Sequence, residues 1–533
     1  MPDQCQICLT GPSEWNADDL EGHVRAAHGD NEAAVAAMYG DEFDHLFEEN
    51  GGGSGTGDSP RQTTRETPKP TGGSGGGATD SVGKKWFMIG VGGAGNNILD
   101  ALLMRRDTLV AAGEERARIW EGGLAGYGLL NTNTAELEQT YYAQEEQGYD
   151  RAQLETNTII GLGAHDNSGM GYRWQNGAAV AEVDFEGENN PFRDRWDMRQ
   201  TDLRSAQALL LVHSVTKGTG CGSTPVLAER IRDEVLSDDR EIDKAILSAV
   251  VIPSVGSQQS TLGGRGKTNG VVGLARTAQA VDALIPFNNA KLREVSQDIT
   301  PRVDGLAQYN PPQFVDLNKP LVAFLEAFTM SSTPQFVDQD ATMSIRGNVF
   351  DVADSFRLVQ DKYPASMPKD ERPAVVLAPV LGRLRSETVS ESKLEILARR
   401  TLDQNRFADF DPSTAWGANF MLYGPEEKMR EASEYVTDGR LQRILNGPDF
   451  LDAGNTAGVE TVDVQLNQLV TPQLDDLYMW GMLWNPEMPA LESMYEHAQR
   501  LNQEGQTQQA ESVREVWSDV EALFSCLGRD NML

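Results

Sequence analysis

Leu209–Pro225 reads LLLVHSVTKGTGCGSTP. The apolar run Leu209–Val212 reads as a buried parallel strand. It runs into Gly218-Thr219-Gly220-Cys221-Gly222, and Pro225 then opens the amphipathic stretch VLAERIRDEVL, with proline in a helix's first turn. Strand, glycine turn and helix together aim backbone N–H groups and a helix's positive end at an anion such as phosphate. Taken alone, the same pattern also describes an ordinary tight strand–helix connection.

A second turn of this kind lies upstream. Lys85–Val91 (KWFMIGV) is a short apolar strand, Gly92-Gly93-Ala94-Gly95-Asn96-Asn97 follows, and ILDALLMRR has helical periodicity. Two such turns at the ends of parallel strands can converge on one nucleotide at a sheet's carboxyl edge. Neither is a G-x-x-x-x-G-K-[ST] loop.

GVGGAGNN resembles the first nucleotide loop of the tubulin/FtsZ superfamily, and TKGTGCG resembles its glycine signature, departing at Thr216, Lys217 and Cys221. The resemblance implies a divergent member. Its fold would be an α/β, doubly wound parallel sheet with a central helix and a smaller α+β carboxyl-terminal domain. Alternation of apolar strands and helical patterns from Lys84 onward independently implies such a sheet.

Further stretches carry the resemblance. Asn131-Thr132-Asn133-Thr134 ends a strand and is similar to the NTD turn of FtsZ, with Asn133 where the family has Asp; Thr134 also suits a helix N-cap. IIGLGAHDNSGMG (Ile159–Gly171) resembles the third loop, which contacts the terminal phosphate; Gly163, Ala164 and Asn167 match, His165 reads as a loop residue, and Asp166 is a candidate for magnesium. GVVGLARTAQAVDALIPFNNAKL resembles the family's helix, strand and base-contacting loop, which implies that Asn289 reads the guanine edge; an amide, with donor and acceptor, suits that task. Phe314–Phe328 is the candidate central helix and Asn318 the second base contact, although Pro320 prefers a first turn.

By the same resemblance, GTP or GDP with magnesium would contact Gly92, Gly93, Ala94, Gly95, Asn96, Asn133, Gly163, Ala164, Asn167, Gly218, Thr219, Gly220, Cys221, Gly222, Asn289 and Asn318. A helix N-terminus would lower the pKa of Cys221, but no His–acid partner marks it as a catalytic thiol. Lys217 either adds a phosphate charge or points to solvent, and His213 reads as packing. No acid stands where the family contacts ribose; Gln258 or Gln259 is the available substitute.

Gly347–Asp354 (GNVFDVAD) resembles the loop that completes the next subunit's active site and polarises the attacking water. Asn348, Asp351 and Asp354 are therefore the candidate catalytic residues; the two acids lie on one face of a helical turn, and a helix N-cap accounts for them equally well. Hydrolysis would need two molecules head to tail, a contact that builds filaments.

The chain's 533 residues suffice for several domains. Asp and Glu total 80 against 46 Lys and Arg, a formal charge of −34. That balance argues against nucleic-acid or anionic-membrane binding by the whole molecule and suits concentrated salt or a basic partner. Only 4 cysteines in this length speak for a reducing cytoplasm rather than a disulfide framework. The polar beginning of the chain shows no signal-peptide core, and no apolar run reaches membrane-spanning length.

Cys5-x2-Cys8 followed by His23-x4-His28 has Cys2His2 spacing, and these four residues are expected to hold one zinc ion. The helix carrying the histidines holds Asp18, Asp19 and Glu21 against Arg25 alone, so it suits a protein partner better than DNA. The expected organisation is a finger at 1–50, a disordered Gly/Ser/Thr linker at 51–83, a GTP-binding domain at 84–330, a mixed-sheet domain at 331–505 and an acidic helix at 506–533.

Two functions remain open on sequence. One is a polymerising GTPase. The other is a non-hydrolysing nucleotide-binding scaffold that recruits partners through its finger. A Rossmann dehydrogenase fits poorly, because the second glycine turn would be superfluous and a ribose acid is missing at the usual distance.

Overall fold

The computed structural model describes residues 86–114, 117, 120, 123–143, 159–161, 169–186, 206, 208–236, 245–253, 264–295, 297–331, 359, 363, 367, 372–447, 451, 463–471, 474–504 and 507–528. All belong to the compact unit Gly83–Leu533. The expected finger and linker lie outside the described residues.

The strands are β1 Trp86–Val91, β2 Leu124–Asn131, β3 Ile159–Gly161, β4 Ala208–Ser214, β5 Ala245–Ile252, β6 Ala283–Asn288, β7 Val375–Leu384, β8 Gly417–Gly424, β9 Asp463–Val470 and β10 Leu477–Trp484. They form one sheet in the order β3-β2-β1-β4-β5-β6-β7-β10-β8-β9. Pairing is parallel from β3 through β6 and on to the first residues of β7. Strand β10 runs antiparallel to β7 and β8, and β8 pairs parallel with β9. The carboxyl-terminal strands thus make the mixed sheet, joined to the parallel one through Ala283↔Val375 and Leu284↔Val376.

The main helices are α1 Gly92–Ala111, α2 Trp174–Glu186, α3 Gly218–Arg230, α4 Gly264–Ala280, α5 Pro312–Ser331, α6 Glu391–Arg399, α7 Glu426–Thr437, α8 Pro489–Glu504, α9 Gln508–Glu515 and α10 Trp517–Phe524. Strands β1, β4, β5 and β6 are buried along their whole length because helices cover both faces. Their side chains sort by the two-residue period: Phe87, Ile89, Leu209 and Leu211 join the cluster containing α3 and α4, while Trp86, Met88, Leu210 and Val212 join the one containing α1 and α5. None of the described helices is long and apolar enough to cross a membrane.

Two expectations change. First, α3 begins at Gly218, so the glycine signature forms its opening turns and Pro225 sits inside the helix. Second, the acidic carboxyl-terminal segment is two helices rather than one. Val516 (φ −114°, ψ 21°) separates them, and Trp517 and Phe524 stack on Tyr495 of α8. The expected helix over Phe314–Phe328 is present as α5, with Pro320 inside it; burial of the helix among α1 and the sheet outweighs the missing N–H bond. The edge strand β9 (DVQLNQLV) was not legible, since its polar residues break any apolar run.

Candidate nucleotide site

The parallel strands end flush at one edge. Val91 lies beside Leu130, Asn131 beside Gly161, Ser214 beside Val251 and Ile252 beside Asn288. The order β3-β2-β1-β4-β5-β6 reverses direction between β1 and β4, and in open α/β sheets ligands bind outside such a point. Both glycine turns sit there.

Gly92 opens α1 with a left-handed φ of 70°, a conformation that a side chain would strain. A Cβ on it would stand 3.1 Å from the Gly220 nitrogen, so the two turns touch. A Cβ on Gly95 would stand 1.9 Å from the Val212 carbonyl oxygen, so α1 lies directly on β4. The glycines of the second turn divide their work. Gly220 faces the Ser214 and Val91 carbonyls, whereas Gly222 lets α2 cross α3, its absent Cβ position lying 1.9 Å from the Trp174 carbonyl oxygen.

Neither helix start carries a side-chain cap, and neither has an acid in its first turn. The opening N–H groups of α1 and α3 therefore retain their capacity for an anion, and the two dipoles point their positive ends at the same place. A third turn joins them: the Thr132 and Thr219 hydroxyls are hydrogen-bonded at 2.8 Å. Exposed Lys217 precedes α3.

Around this centre the polar side chains are held in place. Asn96 is buried and its Nδ2 donates to the Leu130 carbonyl at 3.0 Å. Asn131 Nδ2 donates to Glu136 Oε2 at 2.8 Å, which brings that carboxylate against Gly93. Asn133 caps the turn Thr134–Leu137, its side chain accepting from the Glu136 N–H. The cap expected at Thr134 thus falls to Asn133, one residue earlier.

His213 is fully buried, and burial pulls its pKa down from 6.5 to about 4. Its Nδ1 lies 3.0 Å from the Gly220 carbonyl oxygen and its Nε2 2.8 Å from Ser248 Oγ. A carbonyl only accepts, so Nδ1–H donates and Nε2 accepts from the serine. The neutral ring is a strut that ties the second glycine turn to β5. Cys221 departs from expectation: its Sγ turns toward the Asn269 carbonyl at 3.3 Å, and burial pushes the thiol up to about 12. Burial overrides the helix start here, because the sulfur faces α4 and not the anion side.

At the far end of the edge, Asn288 caps the turn Asn289–Leu292, accepting from the Ala290 N–H at 2.8 Å and donating to the Pro253 carbonyl at 3.3 Å. That turn packs against α5. Asn318 lies in the second turn of α5, buried, with half-buried Phe314 one turn before it on the same face. Its Nδ2 donates to Asn310 Oδ1 at 2.6 Å.

Residues 85–297 match the model of the Tubulin/FtsZ family, GTPase domain. Two solved structures share the fold. CetZ2 from Haloferax volcanii, a GTPγS-bound protofilament, is 17% identical with a TM-score of 0.50, over 82% of this chain and 99% of that one. CetZ from Methanosaeta thermophila is 15% identical with a TM-score of 0.51, over 82% and 96%. No curated protein matches in sequence. Residues 85–297 are thus similar to a tubulin/FtsZ GTPase domain, and the chain shares its fold with these two structures.

Gly92, Gly93, Ala94, Gly95, Asn96, Asn133, Gly218, Thr219, Gly220, Cys221 and Gly222 come together at one edge, with Asn289 and Asn318 on the adjoining turn and helix. Gly163, Ala164 and Asn167 lie outside the described residues, as do Asn348, Asp351 and Asp354, and Cys5, Cys8, His23 and His28. Among the described residues there is no group of three His, Cys, Asp or Glu able to hold a metal. Thr132, Ser248 and Asn310 were not singled out from sequence. Thr132 stood in plain view inside the NTNT turn, whereas the other two had no local signal.

Proposed function

We propose that the protein binds GTP and GDP with magnesium at this edge, polymerises head to tail and hydrolyses GTP across the subunit junction. The observation that carries the binding step is the meeting of two uncapped helix starts at the reversal of strand order, with Thr132 and Thr219 hydrogen-bonded between them. Gly92–Asn96 and Gly218–Gly222 would hold the phosphates, Gly163, Ala164 and Asn167 the terminal one, and Asn289 and Asn318 the guanine. Magnesium keeps several waters and takes few protein ligands when phosphates share it. Glu136 offers a carboxylate beside the first glycine turn, and Asp166 is the candidate from sequence. When bound, the ion neutralises charge on the β- and γ-phosphate oxygens.

Asn348, Asp351 and Asp354 of one molecule would orient and polarise the water in the site of the next. The water oxygen attacks the γ-phosphorus, the bond to the β–γ bridging oxygen breaks, and GDP leaves. The Haloferax relative solved as a nucleotide-bound protofilament supports this longitudinal arrangement. Zinc held by Cys5, Cys8, His23 and His28 would give the chain a separate docking module for a protein partner.

Asp351→Ala and Asp354→Ala should leave GTP binding within about twofold of wild type and abolish concentration-dependent phosphate release. Retained release in the double variant would refute the assigned role. Binding without turnover in the wild type would favour the scaffold reading instead.

A further inference from the structure

The short helical turn Leu306–Tyr309 ends at Asn310, and Pro311-Pro312 carry the chain into α5. Asn310 is 3% exposed and Asn318 5% exposed. The Asn310 backbone N–H donates to the Leu306 carbonyl at 3.0 Å, which fixes the main chain there. Asn318 Nδ2 donates to Asn310 Oδ1 at 2.6 Å, and Asn310 Nδ2 meets no acceptor among the described residues. Leaving a buried amide N–H unmatched carries a cost, and a position that tolerates it has a reason to do so.

We propose that Asn310 is a positioning residue that sets the amide sense of Asn318 and thereby makes the base site select guanine. This rests on the guanine-binding reading above. With one N–H directed at Asn310, Asn318 presents its carbonyl oxygen, an acceptor, to the ligand. Guanine offers donors on that edge, N1–H and the 2-amino group. Xanthine carries a carbonyl in place of the 2-amino group and would set acceptor against acceptor. If Asn318 alone turned over, its carbonyl would face Asn310 Oδ1, so the neighbour opposes the sense that suits xanthine.

The test compares GTP and XTP binding in the full chain, by competition against a fluorescent guanine nucleotide. The wild type should prefer GTP. Asn310→Leu, which removes the acceptor, should bind GTP yet reduce that preference at least about tenfold, the factor that corresponds to about 1.4 kcal/mol. Asn310→Asp at about pH 8 supplies an acceptor-only group and should keep the preference. A leucine variant that binds GTP with an unchanged GTP-to-XTP ratio overturns the proposal. So does an aspartate variant that loses the ratio, and this second variant decides the matter should the leucine variant fail to fold. Absence of guanine-nucleotide binding in the wild type would instead overturn the functional reading beneath it.

Discussion

Asp100 lies on α1 at 1% exposure, with its carboxylate facing the turn Tyr141–Ala143. The Tyr141 N–H donates to Oδ2 at 2.8 Å and the Tyr142 N–H to Oδ1 at 3.4 Å. Burial is the larger influence and pushes the carboxyl from 3.8 up to about 7, while the two N–H groups pull the other way. The folded state therefore holds its proton where the unfolded chain has released it. The stability this proton confers is complete below pH 3.8 and is lost as the pH rises through about 7. At about 1.4 kcal/mol per pH unit, the whole interval is worth about 4 kcal/mol. About a third is already gone at pH 5, and about 2–3 kcal/mol more should go by pH 8. Asp100→Asn has no charge at either pH and loses one weak acceptor, at a cost of about 1 kcal/mol that does not vary with pH. Relative to wild type it should therefore gain about 2–3 kcal/mol between pH 5 and pH 8. Urea unfolding of both full-length proteins at the two pH values, in the same salt, measures this directly. The remaining carboxylates titrate alike in both proteins and cancel. Parallel pH profiles would refute the reasoning.

Two further outcomes follow from buried groups. Arg105 on α1 and Glu326 on α5 form a bidentate ion pair, Nε to Oε2 at 2.7 Å and Nη2 to Oε1 at 3.3 Å, and Arg105 Nη1 also donates to the Arg302 carbonyl. Their side chains are 5% and 11% exposed, so Glu326→Gln alone should lower the unfolding free energy by about 3–5 kcal/mol, while Arg105→Met with Glu326→Leu should cost far less; near-neutral single variants would contradict this. Cys221, with its thiol pushed up to about 12, should resist iodoacetamide in the folded chain and react once urea unfolds it, as followed by peptide mass spectrometry; rapid alkylation of the native protein would show the sulfur to be accessible.

The glycine turns were legible because they follow continuous apolar runs, and a strand buried on both faces has to be apolar at every position. Strands β1 and β4 were placed to within a few residues for this reason. Strand β9, half-buried at the sheet's edge, had no such obligation and escaped notice. Pro225 misled: it suggested a helix start, yet packing holds it inside α3, as it holds Pro320 inside α5, since local preference is a weak term beside the burial of a whole apolar face. Cys221 misled in the same way: its place in the chain pointed to a lowered pKa, and its surroundings did the opposite.

By itself, the sequence determined the kinds of element present and their order, because apolar period and glycine turns are properties of neighbouring residues. It also set the acidic balance of −34. Only the tertiary structure decided which turns meet. Thr132 lies against Thr219, His213 braces Gly220 from β5, and Asn310 holds Asn318, through contacts between strand ends and helices that no local pattern records. The reason is physical: such partners are chosen by the order of strands in the sheet, and that order minimises exposed apolar surface over the whole domain.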